Sequence, residues 1–278
     1  MALELVTGRF EDLCFGAKRW FLGPDHVRRT RLYGVGTAKS GTHSVAEMFS
    51  RNVRAQHEPE ALEVIEKILD RRDGRISEPA WTEWLRARDR RLGLEVDSSH
   101  LNLDLLDFLL REFPDARFLL TIRDCYSWVN SMFNHSLRFR GQVDPRWVQL
   151  GKLRAGPDAF VYAPEEYALE ENKLPNLNSY FSRWAERNSE VLAKVPGDRL
   201  LVVRTDQITA RAFEIADFAG LPRRAVRMRR VHAFQASVKR ELIRQIDGAF
   251  LERKVNQHCR SLMTQFFPDV KSLDDARL

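Results

Sequence analysis

Cysteine is scarce in this chain of 278 residues, and long apolar runs are absent. Cys14, Cys125 and Cys259 lie far apart, so they predict neither a disulfide framework nor a zinc site and favour a reducing compartment. No stretch is apolar for long enough to span a bilayer, and residues 1–30 lack the pattern of a signal peptide. We therefore expect a cytoplasmic protein without a transmembrane segment.

The charge of the chain excludes fewer classes of protein than its cysteine content does. The net charge is +6 and the pI is near 9.4, which suits either a nucleic-acid binder or an enzyme whose ligand carries several negative charges. No DNA- or RNA-binding motif accompanies the charge, so we expect no nucleic-acid partner. With 44% hydrophobic residues the chain can bury a sizeable core, and we predict one domain over 1–278.

Residues 1–30 mix aromatic and charged residues in a way that predicts an amphipathic helical segment. Packing of this segment on the core is the simplest expectation. Packing on a second copy of the chain, or on a membrane surface, is also open, so a homodimer and peripheral membrane contact remain as alternatives.

A strand, a loop of small residues and a helix follow one another between Arg31 and Arg51. Backbone N–H groups of such a loop, together with the dipole of the following helix, favour a phosphate-like anion. Lys39 supplies a full positive charge, and Gly41 allows the backbone to approach the ligand closely. Further hydrogen-bond donors are Ser40, Thr42, His43 and Ser44.

The spacing separates this loop from the phosphate loop of nucleotide hydrolases, G-x-x-x-x-G-K-[ST]. Gly36 and Gly41 match its glycines, but Thr42 and His43 stand where the lysine and the magnesium-binding hydroxyl belong. Lys39-Ser40-Gly41-Thr42 instead resembles the 5′-phosphosulfate loop of sulfotransferases that use 3′-phosphoadenosine 5′-phosphosulfate (PAPS). Here the lysine lies inside the loop.

A second motif supports the same resemblance. An apolar run, Phe118 to Ile122, is followed by Arg123, and Ser131 comes eight residues later on a predicted helix. The resemblance implies that Arg123 and Ser131 hold the 3′-phosphate of the cofactor. An arginine fork and a serine hydroxyl are suitable donors for a phosphate. It also implies PAPS as donor, 3′-phosphoadenosine 5′-phosphate (PAP) as product, and no metal.

The family has two places for the base that takes the acceptor's proton, and this chain has a candidate at each. Glu58, with His57 beside it, ends a short strand in a Glu-Pro context that resembles the carbohydrate and bacterial branch. His100 follows the strand 94–97, as the catalytic histidine does in the enzymes that sulfate phenols and steroids. The Glu-Pro context slightly favours Glu58, and His100 would then position the acceptor.

The order of apolar runs and amphipathic segments predicts an α/β protein. We expect three layers, with a central parallel sheet of four or five strands flanked by helices in a P-loop-like sulfotransferase fold. Residues 138–176 are rich in glycine, proline and aromatic residues and predict a lid on the acceptor side.

The expected activity is sulfuryl transfer from PAPS to a hydroxyl or amine of a small molecule, glycan or lipid. Two other functions remain as alternatives. A nucleotide-dependent kinase would need a magnesium-holding acid and a lysine after the glycine, neither of which is evident. A non-catalytic PAPS- or nucleotide-binding protein of the same fold would not need Glu58 or His100.

Overall fold

The computed structural model describes residues 27–49, 53–228 and 241–278. The predicted N-terminal helical segment therefore lies almost entirely outside the described residues. Of the helices in the described part of the chain, none is both long and apolar enough to cross a membrane.

Five short strands form one parallel sheet, which confirms the predicted fold class. Their spatial order is β2-β3-β1-β4-β5. Leu32 of β1 pairs with Val96 of β3 on one side and with Arg117 of β4 on the other. The strands are β1 (Leu32–Gly34), β2 (Ala55–His57), β3 (Val96–Ser98), β4 (Arg117–Ile122) and β5 (Leu200–Arg204).

The helices alternate with the strands as the sequence predicts. They are α1 (Thr42–Met48), α2 (Ala61–Arg72), α3 (Glu78–Leu92), α4 (Leu106–Glu112), α5 (Cys125–Arg138), α6 (Pro145–Ala155), α7 (Tyr167–Glu171), α8 (Leu177–Lys194), α9 (Ala212–Ala219), α10 (Gly248–His258) and α11 (Arg260–Phe266). Because parallel strands need crossover connections, this alternation is what brings sequentially distant strand ends to one edge of the sheet.

Apolar side chains cover both faces of the sheet. On one face, residues of β1 and β3 pack with α1 and α9 in a core that includes Leu32, Val45, Val96 and Ile215. On the other face, the ring of Tyr33 stacks on Phe113 at 6.1 Å and lies 5.8 Å from Phe118. Such two-sided burial explains why β4 is apolar along most of its length.

The described residues form two compact units. The first comprises 27–36, 41–49, 53–121 and 195–228 and holds the sheet, except the last residue of β4, with α1 to α4 and α9. The second comprises 37–40, 122–194 and 241–278 and holds the other helices. The interior of the second unit contains two buried free thiols, Cys125 and Cys259. The single domain over 1–278 stays a prediction.

The segment 138–176 is more regular than its composition suggested. It contains α6 and α7, and the hydroxyl of Tyr162 donates a hydrogen bond to the carbonyl oxygen of Leu174. Asp144 accepts a hydrogen bond from the amide of Arg146 and so caps α6, which starts at a proline. The role of this segment as a lid stays a prediction.

Candidate active site

The lysine of the loop lies in a tight turn that belongs to the second unit. Both the amide and the hydroxyl of Ser40 donate to the carbonyl oxygen of Thr37, at 3.1 and 2.7 Å. Lys39 has φ 67°, a left-handed conformation that is uncommon for a residue with a Cβ. The side-chain hydroxyl of Ser40 therefore holds the turn closed, and the half-buried Lys39 sits at its tip.

Arg123, at the end of β4, reaches this turn. Its Nη1 donates to the carbonyl oxygen of Lys39 at 3.4 Å, and its Nε donates to the hydroxyl of Ser127 at 2.9 Å. Burial lowers the pKa of the Arg123 guanidinium, against a smaller opposing effect of Asp124. The two predicted binding motifs, 84 residues apart, are thus in direct contact. Ser131 is half-buried one turn farther along α5, and its phosphate-binding role stays a prediction.

Two buried tryptophans fix the turn and the arginine. The indole N–H of Trp128 donates to the carbonyl oxygen of Ala38 at 2.8 Å, and that of Trp184 donates to the carbonyl oxygen of Arg123 at 3.0 Å. Sequence reasoning did not assign these roles. A usable signal was present, because a buried tryptophan needs an acceptor for its N–H, and Trp128 follows Arg123 by only five residues.

The rest of the loop belongs to the first unit. Gly41 has φ 102°, and a Cβ at this position would lie 2.5 Å from Cδ1 of Ile208. Thr42, which begins α1, is buried, and its carbonyl oxygen accepts a hydrogen bond of 2.7 Å from the hydroxyl of Ser98. His43 and Ser44 are half-buried on the same helix. Gly41 is therefore required both for its backbone conformation and for space.

The candidate bases form one cluster within the first unit. Oε1 of Glu58 lies 2.7 Å from Nδ1 of His100 and 3.5 Å from Nε2 of His57. Nδ1 of His57 lies 2.8 Å from the carbonyl oxygen of Ser98, and the rings of His57 and His43 meet edge to face at 4.9 Å. Glu58 and His100, which the sequence offered as alternatives, are hydrogen-bonded partners.

A strained turn presents Glu58. Glu58 and Glu60 have φ 48° and 55°, both in the left-handed region. The buried guanidinium of Arg88 stabilises this turn, since it donates to the carbonyl oxygen of Pro59 at 2.8 Å and lies 3.5 Å from Oε2 of Glu60. Arg88 lies in a charge-dense stretch whose composition is typical of a solvated helix, so its positioning role could not be predicted from the sequence.

The two clusters differ in chemistry. Lys39 and Arg123 place two cations at one turn, which suits a ligand with several negative charges. Glu58 and His100 form a carboxylate–imidazole pair, an arrangement that suits proton transfer. Within the described ranges, no group of three or more His, Cys, Asp or Glu residues is placed so that it could hold a metal ion.

Comparison with known proteins gives one family. A model of the sulfotransferase domain family matches residues 31–208. A solved sulfotransferase from Alicyclobacillus acidocaldarius is 15% identical with a TM-score of 0.48, and the alignment covers 86% of this chain and 97% of that one. The sulfotransferase domain of the olefin synthase from Synechococcus PCC 7002 is 14% identical with a TM-score of 0.37, with 82% and 85% covered. No curated protein matches.

Proposed function

The chain belongs to the sulfotransferase domain family, and on that premise we propose that it transfers the sulfuryl group of PAPS to a hydroxyl or amine of an acceptor. One observation carries the choice of donor. Arg123 donates a hydrogen bond to the carbonyl oxygen of Lys39, so the residues proposed for the 3′-phosphate and for the phosphosulfate meet at one turn. A nucleotide with anionic groups at both its 3′ and 5′ positions needs such a pair of cations.

We assign the binding roles by motif. Lys39 and the loop residues Ser40, Gly41, Thr42, His43 and Ser44 hold the phosphosulfate end, and Arg123 with Ser131 holds the 3′-phosphate. PAPS supplies the activated sulfuryl group when it is bound. Lys39 stabilises the negative charge that grows on the leaving phosphate, a contribution that is large where water is excluded.

The acceptor's proton goes to the Glu58–His100 pair. An ionised carboxylate can only accept hydrogen bonds, so the contact of 2.7 Å with Glu58 supports a tautomer of His100 that carries its proton on Nδ1. Nε2 is then the basic nitrogen of His100, oriented by Glu58. We propose that Nε2 of His100 accepts the proton from the acceptor as the acceptor attacks sulfur.

The acceptor side is proposed to include residues 138–176. Phe160, Val161 and Tyr167 are exposed there, with 50%, 68% and 66% of their surface accessible. Exposed aromatic and branched side chains on one segment suit contact with a bound acceptor. Hydrogen exchange with and without PAP and an acceptor tests this role, because a lid gains protection only when the acceptor is bound.

Calorimetric titration with PAP in the absence of magnesium tests the proposed donor. We expect tight binding to the wild type, weak binding of ATP, and loss of PAP binding in Arg123→Ala. Arg140→Gln is a matched control, since Arg140 is an exposed arginine of the same unit that donates a hydrogen bond to the carbonyl oxygen of Asn172. Magnesium-dependent ATP turnover without PAP binding would contradict the proposal. Transfer of ³⁵S from labelled PAPS into a metabolite extract then identifies the acceptor.

A further inference from the structure

Arg183 on α8 has an unusual environment for an arginine of the second unit. Its guanidinium carbon lies 5.5 Å from the ring centroid of Tyr180 and 5.8 Å from that of Trp128. Both distances are within the range of a cation–π interaction. Among the described residues, no carboxylate or other hydrogen-bond acceptor contacts this guanidinium. Arg183 is thus a half-buried arginine whose five N–H donors have no acceptor among the described residues and whose guanidinium lies beside two aromatic rings.

Several other arginines of the same unit have carboxylate partners. Arg146 pairs with Asp144 at 3.0 Å, Arg187 with Glu190 at 3.1 Å, and Arg260 with Glu252 at 2.9 Å. Arg253 also lies over an aromatic ring, that of Phe250, but it pairs with Glu165 at 3.3 Å. Stacking on an aromatic ring thus does not by itself explain why Arg183 has no acid beside it.

The surrounding charge is positive. The pKa of Arg183 is lowered to about 10, mainly by burial and to a smaller extent by Arg154 and Arg187, while Tyr180 acts in the opposite direction. Arg154 and Arg187 therefore each interact unfavourably with the charge of Arg183. An anion bound among them would relieve this repulsion and would use the guanidinium donors.

The group adjoins the lysine turn. Trp128, whose ring lies under Arg183, donates its indole N–H to the carbonyl oxygen of Ala38, the residue before Lys39. Tyr180 packs edge to face against Trp128 at 6.2 Å and against Phe133 at 5.2 Å, so the rings that support Arg183 are themselves fixed. A group bound to Arg183 is thereby held beside the loop proposed to carry the sulfuryl donor.

We propose that Arg183 binds an anionic group of the acceptor, a carboxylate, phosphate or sulfate, so that the enzyme sulfates an acidic molecule. This inference rests on the proposed function. In the proposed function, Lys39 with its loop binds the phosphosulfate of PAPS, and Arg123 with Ser131 binds the 3′-phosphate. Arg183 is therefore not needed to bind the nucleotide. A planar guanidinium supported by aromatic rings is suited to bidentate contact with such a group.

Inorganic sulfate is the probe. The full-length ¹⁵N-labelled protein is saturated with PAP and titrated with sodium sulfate at constant ionic strength, while NMR follows the arginine Nε–H signals. Loss of a signal in Arg183→Lys assigns Arg183. We expect a saturable shift of this signal, and we expect Arg183→Gln to weaken sulfate binding by about tenfold or more. Arg253→Gln is the matched control, because it also removes a stacked arginine, and it should leave sulfate binding unchanged.

Three results would overturn the inference. They are the absence of a saturable shift, an equal shift of the Arg253 signal, and a loss of PAP affinity in Arg183→Gln, which would assign Arg183 to the nucleotide. Failure of the wild type to bind PAP would instead refute the proposed function and, with it, the acceptor assignment. The same titration on nucleotide-free protein then decides separately whether Arg183 is an anion subsite.

Discussion

Glu58 and His100 share a contact of 2.7 Å although they are 42 residues apart in the chain. Glu58 directly follows β2, and His100 begins a short 3₁₀ helix after β3. Because β2 and β3 are parallel neighbours, with His57 in register with Ser98, the residues that follow each strand meet at one edge of the sheet. The order of the strands in the sheet therefore brings Glu58 and His100 into contact.

Loss of either member of the pair should slow sulfuryl transfer. We expect Glu58→Gln and His100→Gln each to lower the single-turnover rate by about 10²- to 10⁴-fold. The double variant should be little slower than the worse single variant, since the two residues act as a unit. PAP affinity should stay unchanged in all three. Glu63→Gln is the control, and full activity of Glu58→Gln would remove Glu58 from the mechanism.

Ser131→Ala tests the 3′-phosphate site. We expect it to weaken PAP binding by about tenfold, because one hydrogen bond to a charged phosphate is lost. Ser136→Ala removes a hydroxyl from the same helix and should have no effect on PAP affinity. Equal affinities of the wild type and Ser131→Ala, measured by calorimetry, would exclude Ser131 from the site.

The conformation of Lys39 can be separated from its charge. Because Lys39 has φ 67°, the Lys39→Gly variant should be more stable than Lys39→Ala by about 1 kcal/mol in the free energy of unfolding. Lys39→Gly and Lys39→Ala should both lose PAPS turnover, because each lacks the cation. Denaturant unfolding gives the difference in the free energy of unfolding. Equal stabilities of the two variants would mean that the turn relaxes once the lysine is gone.

Gly41→Ala should destabilise the protein by about 2 kcal/mol or more, since its backbone conformation disfavours a Cβ and its new methyl meets Ile208. The atom that it meets is Cδ1, which valine lacks. Combining Gly41→Ala with Ile208→Val should therefore recover about 1 kcal/mol relative to the sum of the single effects. Strict additivity in denaturant unfolding would show that backbone strain alone is responsible.

Acid sensitivity should depend on Glu95, which is fully buried. Burial raises the pKa of its carboxyl, but hydrogen bonds from Arg29 and from the amide of Arg54 outweigh this and lower it below the usual value. A lowered folded-state pKa adds stability above the unfolded-state pKa of about 4.3, and this stability is lost as the pH falls through the folded-state value.

We expect Glu95→Gln to be less stable by about 2 kcal/mol at pH 7 and to lose less stability on acidification. Glu214→Gln is the control, because Glu214 pairs with Arg211 at the surface and its removal should change little. The measurement is the free energy of unfolding between pH 7 and pH 3. Parallel pH curves for the wild type and Glu95→Gln would contradict the assignment.

Sequence reasoning predicted the parallel sheet because short apolar runs alternate with amphipathic segments, and it proposed Lys39 and Arg123 as binding residues because their motifs follow such runs. It slightly favoured Glu58 over His100 as the base and did not predict that the two residues are hydrogen-bonded partners. Hydrogen bonds between residues 42 apart depend on which strands are neighbours, and local patterns do not encode strand order. For the same reason Arg88, Trp128 and Trp184 escaped notice. Their roles come from contacts with backbone oxygens, which any residue supplies.

Chemical labelling of the two buried thiols can measure local opening of the second unit. An alkylating reagent reaches Cys125 or Cys259 only when the packing around them separates, because neither side chain is exposed in the closed state. The rate of labelling at each cysteine therefore measures how often the structure around it opens locally. Cys125 is two residues from Arg123, so a nucleotide that binds the Arg123 guanidinium should slow the alkylation of Cys125. The alkylation rate then reports nucleotide occupancy of the site without any knowledge of the acceptor.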